Sequence, residues 1–72
     1  MGRTVRLRLT VTRWVVALWN IDTGELVRTW IPKADRPPDR HRAYDNALLW
    51  LRRHGFTYTI TERGTFTKEE SC

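Results

Sequence analysis

Val5, Leu7, Leu9 and Val11 alternate with Arg6, Arg8 and Thr10. A period of two belongs to a strand with one buried and one solvated face. The apolar face must be covered by a second layer. Only one later segment, Arg40 to His54, carries apolar residues at helical spacing. With 72 residues in all, the chain has length for one domain. A nucleotide-binding doubly wound sheet and a two-domain enzyme both need far more chain. The expected fold is α+β, a small two-layer sandwich with one helix packed on an antiparallel sheet of three to four strands.

The alternation slips in phase near Thr12 and Arg13. Arg13 falls where an apolar residue is due, and Trp14, Val16 and Leu18 take over the even positions. An extra residue in one strand flips the facing of everything after it, so a β-bulge accounts for the slip. A tight turn is disfavoured there because no Gly, Asn or Asp is present. Asn20 to Glu25 reads as a turn, with Gly24 supplying the left-handed residue. Leu26 to Ile31 is the return strand, so residues 4–31 form a long bent β-hairpin.

Residues 32–38 contain Pro32, Pro37 and Pro38 and read as a loop. Asp39 is the expected N-cap of a helix over residues 39–54. Ala43, Tyr44, Ala47, Leu48 and Leu51 make its apolar stripe, and Gly55 ends it. Phe56, Tyr58 and Ile60 alternate with Thr57, Thr59 and Thr61, which places the first three toward the helix. Glu62 to Gly64 signals a turn and Thr65 to Thr67 a short edge strand. Residues 56–67 are therefore a C-terminal strand or hairpin, and 68–72 a frayed tail. The element order is β-β-α-β, with a last short strand optional.

The charge balance narrows the function. Thirteen basic residues face eight acidic ones, a net charge of +5. Arginine dominates, and its planar fork suits phosphates, carboxylates and aromatic faces. Nucleic-acid binding is the leading expectation, in two forms. One uses the Arg- and Thr-rich sheet face, with Arg6, Arg8, Arg13 and Arg28. The other uses a helix stripe at i, i+4, i+7 and i+11, formed by Arg42, Asn46, Leu49 and Arg53, since Arg and Asn read guanine and adenine. Asp45 beside that stripe repels phosphate. The competing explanation of the arginines is ordinary solvent-facing polarity.

Four tryptophans are many for this length. Trp14, Trp19 and Trp30, with Leu49, form an alternative set of anchors for a protein partner, in which case the chain is a regulator or inhibitor with an acidic protein target. An exposed Trp beside Arg also stacks on an unpaired base. Pairing of two copies through an edge strand is a further expectation.

Catalysis is not expected. Asp39, His41 and Asp45 are the only acid–base set in view, but the first is the expected helix cap. His41 and His54 point to different sides of a helix, which excludes a zinc pair. No Gly-rich phosphate loop or Cys–His pairing occurs, so no cofactor or metal is expected. Cys72 is the one cysteine, which rules out an internal disulfide and favours a reducing compartment. No apolar run approaches the roughly 20 residues of a membrane helix. Residues 1–11 lack the apolar stretch and cleavage site of a secretory signal, so a cytoplasmic, membrane-free location is expected.

Overall fold

The computed structural model describes residues 2–70. The elements are β1 (Arg3–Val11), β2 (Val16–Asn20), β3 (Leu26–Trp30), α1 (Pro37–Arg53), β4 (Thr57–Tyr58) and β5 (Thr65–Glu70). They build one five-stranded antiparallel sheet in the order β3-β2-β1-β5-β4. The helix lies on one face. This is the expected α+β arrangement, with more strands and a different order than the sequence suggested. No helix among the described residues is long and apolar enough to cross a membrane.

β1 is the middle strand. Leu7 and Leu9 point to the helix and pack with Val16 and Leu18 of β2, Phe66 of β5, and Ala43, Ala47 and Leu51 of α1. Leu18 and Ala47 are fully buried. Two alanines on the inner helix face let the helix axis approach the sheet closely. Val5, Trp30, Tyr44, Leu48, Trp50 and Phe56 close the margins of this core.

The phase slip after Val11 is a chain reversal, not a bulge. No non-Gly residue has positive φ, so the reversal does not use a primed turn. Thr12 substitutes for the missing turn residues. Its hydroxyl accepts from the Val15 amide at 3.2 Å and lies 3.0 Å from the Val15 carbonyl, which also accepts from the Thr12 amide at 2.9 Å. The first expected strand is therefore two, paired Val11 to Val16 through Leu7 to Asn20. A bulge does occur, but between Leu18 and Trp19 against β3. The Asn20 turn forms as expected, with the Asn20 side chain accepting from the Asp22 and Thr23 amides.

The helix begins earlier than Asp39. Arg36 is the N-cap, without a side-chain capping bond, and the prolines occupy the first turn, where a missing N–H loses nothing. Asp39 is inside the helix and buried, its carboxylate 2.7 Å from Arg36 Nε. At the other end Gly55 has φ of 83°. The Gly55 amide donates to Arg52 O at 3.1 Å and the Phe56 amide to Leu51 O at 2.9 Å, which satisfies the last helical carbonyls.

The C-terminal part departs most from the sequence reading. Tyr58 shares the helix side with Phe66, opposite it in register and edge-on to it, yet stays exposed, whereas Ile60 is 90% exposed in the turn before β5 and joins no face. Thr65 to Thr67 is no edge strand. It opens β5, which pairs with β1 from Arg8–Thr65 to Arg3–Glu70. Lys68 to Glu70, expected as tail, belong to this strand, whereas residues 71 and 72, with Cys72, lie outside the described residues. The backbone ladder with β1 and the burial of Phe66 hold this strand, and two surface contacts accompany them. Thr4 Oγ1 donates to Glu69 at 2.7 Å, and Arg3 lies 3.5 Å from Glu70.

Two neighbouring substitutions test the β5 entry with opposite signs. Gly64 has φ of 75°, and a Cβ there would meet the Leu9 carbonyl oxygen at 3.2 Å. Gly64→Ala is expected to lower stability by about 1–2 kcal/mol. Thr65 is fully buried, and its hydroxyl meets no hydrogen-bond partner among the described residues. Thr65→Val removes an unpaired polar group and is expected to add about 1 kcal/mol. Thermal unfolding reads both, at roughly 4–8 °C per kcal/mol for a domain of this size.

Candidate nucleic-acid interface

One helix covers one side of the sheet, so the other side faces solvent. Residues directly opposite on paired strands share a face. Leu9 and Leu18 are an inward pair, and Arg8 and Trp19, one position along, are therefore an outward pair. Arg8 also stands opposite Thr65, and Trp19 opposite Leu26, so one row runs as Thr65, Arg8, Trp19 and Leu26; Thr65 at its end is fully buried and the other three are exposed. Thr67 and Arg6 form a second row, and Thr10, Ala17 and Thr29 a third.

Trp19 is tethered within this face. Its indole Nε1–H donates to Thr10 Oγ1 at 2.9 Å. Thr10 is on the neighbouring strand and one row away, so the bond draws the ring along the sheet, beside Ala17. Ala17 is buried although its face has no covering layer. The Thr10 hydroxyl lies 3.4 Å from the Ala17 carbonyl, which completes the chain of polar contacts. Trp19 keeps 38% of its surface exposed. A tethered, partly exposed indole is a surface on which a planar group can stack.

The two sheet-face arginines differ. Arg6 Nη2 lies 2.7 Å from Asp22 Oδ1. That hydrogen bond, with the Asp22 charge second, holds the Arg6 guanidinium above its ordinary pKa. Arg8 has no carboxylate oxygen within 4 Å among the described residues. Its charge is therefore not neutralised locally, and it lies directly across from the indole.

The other expected residues lie elsewhere. Arg28 is opposite Leu18, hence on the helix side, with its Cζ 5.7 Å from the Trp30 ring centroid. Trp30 meets Trp50 edge-on at 6.1 Å. Arg42 and Asn46 line a small cavity of about 140 Å³ with Trp30, Pro32 and Lys33. Arg28, Arg42 and Asn46 thus gather at the flank between β3 and α1, on the opposite side of the sheet from Arg6 and Arg8. Arg53 is in the last helical turn. Arg13 sits at the β1–β2 reversal, 3.6 Å from Asp35, which also binds Arg40. The sheet-face set of four arginines is therefore split across three places.

The anchor set is split as well. Trp14 is 66% exposed at the reversal, Trp19 is on the open face, Trp30 is half-buried under the helix flank, and Leu49 is exposed on the helix. Asp39, His41 and Asp45 do not converge: Asp39 is held by Arg36, and His41 pairs with Asp45 at 3.4 Å on exposed surface. Thr10, Lys33 and Trp50 carry parts of these sites without any signal in the sequence beyond their place in the alternation or the helix. Comparison of the chain with protein-family models, curated proteins and solved structures found no match.

Thr10→Val tests the tether. Loss of the acceptor is expected to accelerate solvent exchange of the Trp19 indole N–H while lowering stability by only about 0.5–1.5 kcal/mol. Heteronuclear NMR of the four indole signals reads the change, with the Trp14 signal as the internal reference.

Proposed function

We propose that this protein is a non-catalytic module that binds single-stranded nucleic acid on the open face of its sheet. A base stacks on Trp19, and Arg8 holds an adjoining phosphate, while Arg6 stays engaged with Asp22. The observation that carries this reading is the pairing of a tethered, half-exposed indole with an unneutralised guanidinium directly across the strand boundary. Base–aromatic stacking contributes about 1–3 kcal/mol per base and tolerates any sequence.

Dimensions favour an unpaired strand over a duplex. Five strands about 4.8 Å apart make a face roughly 19 Å wide. A B-DNA major groove is about 12 Å wide and admits a two-stranded ribbon or a helix. The helix stripe is the less favoured route, because Asp45 and its pair His41 lie on the same exposed helix surface and Asp45 repels phosphate.

Fluorescence anisotropy with a labelled oligothymidylate, titrated at several salt concentrations, tests the reading. Trp19→Ala is expected to weaken binding about tenfold or more. Arg8→Ala should reduce the slope of log affinity against log salt by about 0.7, the single-strand value for one lost phosphate contact. Trp14→Ala should leave binding unchanged. Equal losses from Trp14→Ala and Trp19→Ala, or duplex bound as tightly as single strand, would overturn it.

A further inference from the structure

We propose that the outer edge of β3 takes an extended acidic segment of a partner protein as a sixth strand. This edge adjoins the Trp19 face at Leu26, but the proposal does not depend on the reading given above. β3 is the terminal strand of the sheet, and no backbone hydrogen bond beyond its ladder with β2 engages Leu26 to Trp30 among the described residues. The opposite edge, β4, is only two residues long. Folded proteins shield edges with short strands, prolines, lysines, bulges, inward charges or a covering loop. β3 has five residues, no proline and no lysine; its bulge is confined to the Leu26 end, Arg28 is its one charge, and Leu26 to Thr29 are all exposed. Its unpaired amides and carbonyls need a peptide backbone, which nucleic acid does not offer.

The side chains flanking this edge fix the chemistry of the occupant. On the helix side stand Arg28 over Trp30, with Lys33 and Arg42 beyond it. None of the three cations has a carboxylate within 4 Å among the described residues. The nearby Asp39 carboxylate is already held by Arg36 at 2.7 Å. On the open side stands Leu26, 52% exposed. A strand laid along β3 would alternate its side chains between these two environments. The fitting segment is therefore acidic at every second position and apolar between. A second copy fits poorly. Antiparallel self-pairing centred on β3 places Arg28 against its own mate, and like charges directly opposite are destabilising.

The test uses the whole isotope-labelled protein and a synthetic peptide of about seven residues alternating Glu and Val. Amide shifts concentrated in Leu26–Trp30 and slowed hydrogen exchange at those amides are expected. Replacing every Glu of the peptide by Gln, or combining Arg28→Glu with Arg42→Glu in the protein, should weaken binding about tenfold or more. Both substituted positions lie on the protein surface, and unchanged dispersion of the remaining amide signals verifies the fold. A peptide N-methylated at alternate amides, on the side facing β3, should not bind. Equal binding of the Gln peptide, undiminished binding of the N-methylated one, or shifts centred on Trp19 would overturn the proposal. So would concentration-dependent protection of β3 without peptide, which would assign the edge to a second copy.

Discussion

One helix can cover one side of a sheet, and that constraint determines what this molecule buries and what it exposes. Leu7, Leu9, Leu18 and Phe66 lie against Ala43, Ala47 and Leu51, and this cluster contains most of the buried apolar surface. Nothing of comparable size can form on the opposite face. Ala17 is buried on that side beside Trp19, whose indole is tied across to Thr10, the residue opposite Ala17. The tryptophan keeps 38% of its surface exposed there.

The pairing of the charges follows from the order of the strands. β1 is strongly basic and takes the central place because it has an apolar face and two willing neighbours. Its arginines must then be accommodated on or around the sheet. Arg3 meets Glu70, and Arg6 meets Asp22 from the β2–β3 turn. Arg13 and Arg40 share Asp35, and Arg36 takes Asp39. Exposed pairs of this kind contribute little to stability individually. They engage five of the thirteen cations. Those without a carboxylate within 4 Å among the described residues include Arg8 on the open face, Arg28, Lys33 and Arg42 at the β3 flank, Arg52 and Arg53 in the last helical turn, Arg63, and Lys68 over the Phe56 ring. The excess of arginine is thus partly structural, and its remainder is spread over several places.

Much of this was legible in the residues. The alternation from Val5 to Val11, the Asn20 turn, the apolar helix stripe and the Gly55 stop all formed where local physics placed them. The failures have identifiable causes. The reversal at Thr12 uses a side-chain hydroxyl in place of the usual turn residues, so no turn signal marks it. β5 looks like a charged tail, because its ladder is with β1, where Glu69 and Glu70 meet Thr4 and Arg3, partners over 60 residues away. Phe56 to Ile60 has the better strand pattern, yet it follows the helix stop directly. Phe56 is drawn back onto Trp50, ring centroids 6.3 Å apart, and only two residues are left to pair. The candidate site was legible in pieces. Arg8 and Trp19 stood out for different reasons, one as a phosphate contact and the other as a protein anchor. Their juxtaposition depends on strand order and register, which alternation alone does not contain.

The two surfaces meet at one residue. Leu26 stands opposite Trp19 on the open face and is also the first residue of the free edge. A strand added to β3 would place an apolar side chain beside Leu26 and extend the row that runs from Arg8 through Trp19. Any such effect is reciprocal, because a ligand on the open face that gains from the added strand must by linkage strengthen the strand's own binding. The edge and the face are therefore continuous parts of one sheet, and the uncovered side of β3 is where they are physically joined.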